Sequence, residues 1–241
     1  MLEIAFDSDT GSHGTLLMDR QRMQSLTRLV PSALSLIETC QPDRRRIESF
    51  IEEIYARRYR STIARHYSTL MGVHDQNGGV VAAVGLRLAA DEPLFLEHYL
   101  QRTVEAGVRE ATGRIVARDR IVEIGNLASA GKGASVFLFV VLAAYLRRHD
   151  LAYAVVTATK AQRRSFTRLG IDFTELGDAN PDALPDSGAA WGSYYTHDPK
   201  VLVGAIPPSF ARLERLLPTE CNSHLKNLFS RFRPSIMAAA Q

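Results

Sequence analysis

Cysteine is nearly missing from this chain: 241 residues contain two, Cys40 and Cys221. Their separation gives neither a metal-ligand spacing nor a disulfide framework, which suits a reducing compartment. Long apolar runs are missing too. The longest, Ala134 to Leu146, falls short of the roughly 20 residues that a membrane helix needs. The opening residues, MLEIAFDSDTGSHG, lack the basic and apolar regions of a secretory leader, so a cytoplasmic location is expected. The seven histidines are scattered, without HExxH or a comparable pair, and no metal is expected. A Gly-x-Ser-x-Gly elbow, a full Walker loop and a dinucleotide fingerprint are all absent, which argues against a serine-type hydrolase, an NTPase and a dehydrogenase. Neither sign of charge dominates. A net charge of +3 favours anionic partners only weakly, and no nucleic-acid partner is expected.

What is present concentrates between Arg118 and His149. Ile121, Val122 and Ile124 are β-branched and suit a strand. Ser129 to Gly133 reads as a turn, and the apolar run from Ala134 to Leu146 predicts a helix covered on most sides. A glycine turn feeding a helix N-terminus offers free N–H groups at the positive end of the helix dipole, which suits phosphate. The strand also carries an acid, Glu123, and an amide, Asn126. A phosphate cradle beside an acid suggests a place where a phosphate-bearing donor reacts. Glu123 and Gly125 share one face of the strand, unless a bulge shifts them and opens a gap for a ligand. The alternative is a structural acid paired with Arg118 or Arg120.

Around this stretch the chain divides into three parts. Residues 1–42 form a poorly specified extension in which Pro31 interrupts a possible helix over 22–36. Asp43 is placed to cap an amphipathic helix over 44–60, with Ile47, Phe50, Ile51, Ile54 and Tyr55 on one side. Its basic side, including Arg57 and Arg58, is either a solvated face, as such runs usually are, or a docking surface for an acidic carrier protein. Residues 66–90 read as a hairpin around Asn77-Gly78-Gly79, followed by LFLEHYL at 94–100 and a short helix near 103–112. In LFLEHYL, Glu97 either reaches solvent or is a buried acid facing a substrate amine. Leu151 to Thr157 is a second strand, able to lie parallel to 118–127 in a right-handed strand–helix–strand unit. A helix over 160–169 closes at Gly170. Trp191 to Tyr195 and Lys200 to Ile206 read as a hairpin, in which one of Tyr194 and Tyr195 would be core and the other would line a pocket. Residues 207–241 form an amphipathic helical tail that packs on its own domain or on a second subunit, or contacts a membrane surface.

The order helix, hairpin, strand–glycine turn–helix, strand, helix, hairpin resembles the GNAT acyltransferase superfamily. That resemblance implies an α/β fold: a GNAT-like mixed β-sheet flanked by helices over 43–206, with helical N- and C-terminal extensions. It also implies parallel strands that splay to admit pantetheine and a glycine turn that binds pyrophosphate. Gly131 and Gly133 keep the superfamily spacing, whereas Ala128 replaces its leading polar residue and Phe166 stands where a Tyr general acid is common. More specifically, LFLEHYL at 94–100, IVEIGNLAS at 121–129, Thr157-Ala158-Thr159 and WGSYY at 191–195 resemble the thermostable hemolysin family. That family is similar to acyl-homoserine-lactone synthases and N-acyl amino acid synthases, which carry Glu-x-x-Arg on the equivalent strand. Here Glu123 keeps the acid and Asn126 replaces the arginine.

The resemblance therefore implies an N-acyltransferase with no permanently bound cofactor. Its donor would be a phosphopantetheine thioester, acyl-CoA or acyl carrier protein, held by Leu127, Ala128, Ser129, Gly131, Lys132, Gly133 and Ala134. The acceptor would be a small amine. Glu123, or less directly Glu97, would take the amine proton, Asn126 would orient the acceptor, and Trp191, Tyr194 and Tyr195 would wall the pocket. The family name raises a second expectation, a membrane-active cytolysin without catalytic activity.

Overall fold

Period-two and period-3.6 patterns alternate along the chain, and the elements follow them. In the computed structural model, which describes residues 2–8, 13–26, 30–38, 42–131, 133–217 and 219–221, the first part runs β1 (Leu2–Ser8), β2 (His13–Met18), α1 (Arg20–Leu26), β3 (Ala33–Ile37), α2 (Pro42–Tyr59), β4 (Thr69–His74) and β5 (Val80–Leu88). The second part runs α3 (Glu97–Leu100), α4 (Val104–Thr112), β6 (Ile121–Ser129), α5 (Ala134–Arg148), β7 (Tyr153–Ala158), α6 (Lys160–Arg168), β8 (Thr174–Asp178), β9 (Lys200–Ala205), α7 (Ile206–Leu216) and β10 (Thr219–Cys221).

The ten strands of the described residues join one mixed sheet in the order β10-β2-β1-β3-β4-β5-β6-β7-β9-β8. β6 and β7 are parallel, as the connection through α5 requires, and β4–β5 is the expected antiparallel hairpin. Alternation along the strands sends Val122, Ile124, Ala154 and Val156 to a core shared with α5, with Phe166 of α6 and with Leu213 of α7. Ile121, Tyr153 and Val155 face the other way, toward Leu96, Leu100 and Val108. Ile47, Ile51 and Tyr55 of α2 complete that second face with Ala83 and Ala128. α2 opens with Pro42 and Asp43 and closes with Arg57 and Arg58, an order that suits the missing proline N–H and the helix dipole. Asp43 thus lies inside the first turn rather than before it.

Two longer stretches also differ between the sequence reading and the structure. The N-terminal extension, expected as helical, is mainly strand: β1 pairs with β2 and β3, and β3 with β4, so these residues lengthen the sheet and α1 is their only described helix. The 191–206 hairpin is also corrected. β9 pairs with β7 and β8, while Trp191 and Tyr194 to His197 lie in short 3-10 turns. A left-handed residue precedes the first turn and follows the second, Gly188 at φ 72° and Asp198 at φ 52°, and such residues break extended pairing. At the C-terminal end, α7 packs back on the domain through buried Ile206 and Leu213, with the Arg147 guanidinium 4.8 Å from the Phe210 ring centre. Among the described residues no helix is long and apolar enough to cross a membrane. The amphipathic pattern at Leu225, Leu228, Phe229 and Phe232 lies outside the described residues.

Candidate active site

β6 and β7 begin as a ladder and end as a fork. Their parallel pairing runs from Ile121–Tyr153 to Ile124–Val156 and stops there. Beyond it, β6 keeps only its β5 partner and β7 only β9. The parting coincides with an irregularity on the β5 side. Ala83 opposes Ala128 and Gly85 opposes Gly125, so Asn126 and Leu127 together oppose Val84. Asn126 sits at φ 48°, the left-handed region that Asn tolerates better than most residues. This is the bulge that the sequence reading left open. At the root of the fork, Thr157 of β7 keeps a buried hydroxyl with no hydrogen-bond partner, and its carbonyl accepts from the Tyr194 hydroxyl at 3.3 Å.

Glu123 lies just below the fork and is 1% exposed. Its two carboxylate oxygens accept the N–H groups of Phe95 at 2.8 Å and Leu96 at 3.0 Å. Burial raises its pKa, and the Phe95 N–H, the Tyr67 hydroxyl and the Arg87 charge oppose that rise only in part, leaving the value at about 7. The structural alternative, a pairing with Arg118 or Arg120, is not what forms. Arg118 goes to Glu97 and Glu105, and Arg120 to Asp150.

Glu97 is where the catalytic expectation needs correcting. Arg118 grips its carboxylate with two nitrogens at 2.8 and 2.9 Å, and the N–H groups of Leu94 and Val104 donate to it at 2.9 and 2.8 Å. Burial pushes its pKa up, but Arg118 and these N–H groups outweigh it and hold the value at about 2. An acid so depressed and so fully engaged is a poor proton acceptor near neutral pH. Glu97 instead ties α3 to α4 and to the turn before β6.

The remaining expected residues gather around the same face. Trp191 stands 5.7 Å from the Phe95 ring and 5.2 Å from Tyr194. Tyr194 is core, whereas Tyr195 is half-buried and shares a 2.7 Å hydroxyl contact with Tyr99. The glycine turn has the expected backbone: Gly131 and Gly133 lie at φ 87° and 86°, and Gly133 starts α5 with no side chain capping it. Space beside Gly131 is open, and its N–H is held by the Ser129 hydroxyl at 3.2 Å. Leu127, Ala128 and Ala134 flank this turn, with Ala128 and Ala134 buried. Lys132 lies outside the described residues. Arg57 and Arg58 are exposed on α2. Behind the fork, Ile124, Val156, Phe139, Leu142 and Phe166 line part of an apolar cavity of about 50 Å3.

Sequence reasoning missed one residue altogether. Tyr67 precedes β4, and its ring lies flat on two strands. A side chain at Gly125 would come within 1.8 Å of that ring, and one at Gly85 within 2.4 Å. The Arg87 guanidinium covers it at 4.6 Å, and Asn126 Oδ1 accepts the Tyr67 N–H at 3.2 Å. The only signal in the sequence was the pair of glycines, each inside a strand where a glycine marks close approach.

Comparison with known proteins bears on the fold. FeeM, an N-acyl amino acid synthase from uncultured soil microbes, is similar at a TM-score of 0.50 and 14% identity, over 76% of this chain and 95% of FeeM. TofI in its apo form is similar at 0.50 and 12%, over 75% and 95%. MesI, a CoA-dependent acyl-homoserine lactone synthase, gives 0.48 and 17%, over 76% and 93%. At these identities the likeness is one of fold, a mixed sheet flanked by helices as in GNAT-like synthases. A search of curated proteins finds no match. The model of the family described as thermostable hemolysin matches residues 37–210, which take in α2, the fork, the glycine turn and the aromatic wall. The chain belongs to the thermostable hemolysin family.

Proposed function

We propose that this protein is an N-acyltransferase that moves a fatty acyl group from a phosphopantetheine thioester, on CoA or on acyl carrier protein, to an amine such as an amino acid. The observation that carries the reading is a buried carboxyl with a pKa of about 7 directly below a strand fork. A thioester is attacked by a neutral amine, yet amines are mostly protonated near neutral pH. An acid tuned to that range suits the removal of the proton. The start of α5, which no side chain caps, and the open turn at Gly131 suit the donor phosphate. The Thr157 hydroxyl supplies a polar contact within the fork, and the space behind it is lined by apolar side chains. The fold shared with an N-acyl amino acid synthase agrees with this assignment.

In the proposed reaction Glu123, directly or through one water, takes a proton from the ammonium group. The freed amine attacks the thioester carbonyl and forms the C–N bond. The C–S bond then breaks, and the departing thiolate takes the second proton lost by nitrogen. The Asn126 side-chain oxygen is engaged with Tyr67, so its NH2 end orients the acceptor, and Trp191 and Tyr195 wall the site. Arg57 and Arg58 offer a basic surface for an acidic carrier.

Mass spectrometry of lipid extracts from cells expressing wild type and Glu123→Gln tests the reading. A new N-acyl species is expected with wild type and should fall roughly a hundredfold in the variant, the range for a lost general base. Equal amounts in both would show that Glu123 is structural.

A further inference from the structure

Glu123, Gly125 and Asn126 converge on a residue outside their own strand. Gly125 clears the space in which the Tyr67 ring lies, together with Gly85 on the neighbouring strand. Asn126, bent into its left-handed conformation, turns its oxygen to the Tyr67 N–H. Arg87 closes over the outer face of the ring. The Tyr67 hydroxyl, 2.3 Å from where a side chain at Gly125 would stand, is thereby brought to the Glu123 carboxyl and favours its charged form. Four residues from two strands thus fix a single phenol against the acid below the fork. Packing alone accounts for the glycines. It does not account for a phenol at that spot, because a buried hydroxyl costs free energy unless something uses it.

We propose that Tyr67 is a positioning residue for acyl transfer, its hydroxyl holding the Glu123 carboxylate oriented and ionised toward the fork. This inference rests on the acyltransferase reading. A phenol donates a stronger hydrogen bond to a carboxylate than to the carbonyl oxygen of the neutral acid, so it favours the charged form. The other groups facing Glu123 are the N–H groups of Phe95 and Leu96, the Arg87 charge from β5 and the Tyr99 phenol from α3. The first three also favour the charged form, so Tyr67 is one contributor among several, and its removal shifts the balance without abolishing it.

Tyr67→Phe keeps the ring on Gly85 and Gly125 and removes only the hydroxyl. Two measurements follow. The first is the Glu123 ionisation midpoint, read from the carboxyl stretch in infrared difference spectra, with Glu123→Gln assigning the band. It should rise by about one pH unit, the scale of one lost hydrogen bond to a charged group. The second is the pH profile of N-acylation with an acyl-CoA and an amino acid. Its acid limb should move upward by the same amount, with turnover at neutral pH roughly tenfold lower, while thermal unfolding stays close to wild type. An unmoved midpoint, or a moved midpoint with an unmoved activity profile, would overturn the assignment. The infrared titration needs no turnover, so the two ideas fail separately. A wild-type protein that acylates no amine while its midpoint still responds to Tyr67→Phe would refute the acyltransferase reading, and with it a part for Tyr67 in that reaction.

Discussion

Both oxygens of Glu123 accept backbone N–H groups, yet burial keeps its pKa at about 7, above the usual 4.5. The sign of its effect on stability follows. The folded state holds this proton more tightly than the unfolded chain, so the contribution is full below about pH 4.5 and is lost as pH rises through about 7. Glu97 behaves in the opposite sense. Its folded pKa of about 2 means that its contribution is present above the ordinary value and is lost as pH falls toward 2. Calorimetry across this range should show wild type losing stability between about pH 4.5 and 7, a loss that Glu123→Gln lacks. That variant is not silent in the fold. Its NH2 must face one of the two N–H donors from Phe95 and Leu96, at a cost of about 1–3 kcal/mol for the unsatisfied group. Activity comparisons should therefore be made well below its unfolding temperature. Glu123 and the glycine turn drew notice in the sequence because they lie within one short stretch, an acid on a strand that leads straight into Gly131 and Gly133. Tyr67 was not, because Asn126, which holds it, lies 59 positions away.

At the scale of elements, two devices hold the site: the start of α5, and the clamp on α3. Gly131 and Gly133 adopt left-handed backbone, so a β-branched residue at either is strained whatever the space. Gly131→Val meets no neighbour within 4 Å, so its fold cost should stay near 1–2 kcal/mol. Its branched chain would stand where the donor phosphate binds, so isothermal titration with acyl-CoA should show affinity at least tenfold weaker. Unchanged affinity would move the phosphate site elsewhere. The α3 clamp is the Arg118–Glu97 pair, with side chains 29% and 17% exposed. Arg118→Ala leaves a half-buried carboxylate without its cation, and urea unfolding should show a loss of about 2 kcal/mol, discounted from the fully buried case for solvent screening. Because Phe95 and Leu96 precede α3 and donate to Glu123, N-acylation should fall as well. The β6–α5–β7 unit was legible from periodicity alone. The Trp191 to Tyr195 stretch was not. Aromatic residues favour strands, but the left-handed Gly188 and Asp198 bound a pair of 3-10 turns, and local turn geometry overrode propensity.

At the scale of the whole molecule, the family description and the fold pull in different directions. The described residues contain no helix long and apolar enough to cross a bilayer. Their most apolar helix, α5, is buried in the core under α7. The fold is similar to that of FeeM, an N-acyl amino acid synthase, at 14% identity. The acyltransferase reading reconciles the two, because joining a fatty chain to a polar amine makes an amphiphile, and amphiphiles lyse red cells. Hemolysis would then belong to the product. The prediction is concrete. Purified protein freed of lipid should not lyse erythrocytes, whereas an organic extract of cells expressing wild type should. The extract from cells expressing Glu123→Gln should lose lytic activity in proportion to its N-acyl species. Adding acyl-CoA and an amino acid to the purified protein should restore lysis with a delay set by turnover, and boiling the finished mixture should leave it lytic. Lysis by the lipid-free protein alone would place the activity in the polypeptide and separate it from the site at the β6–β7 fork.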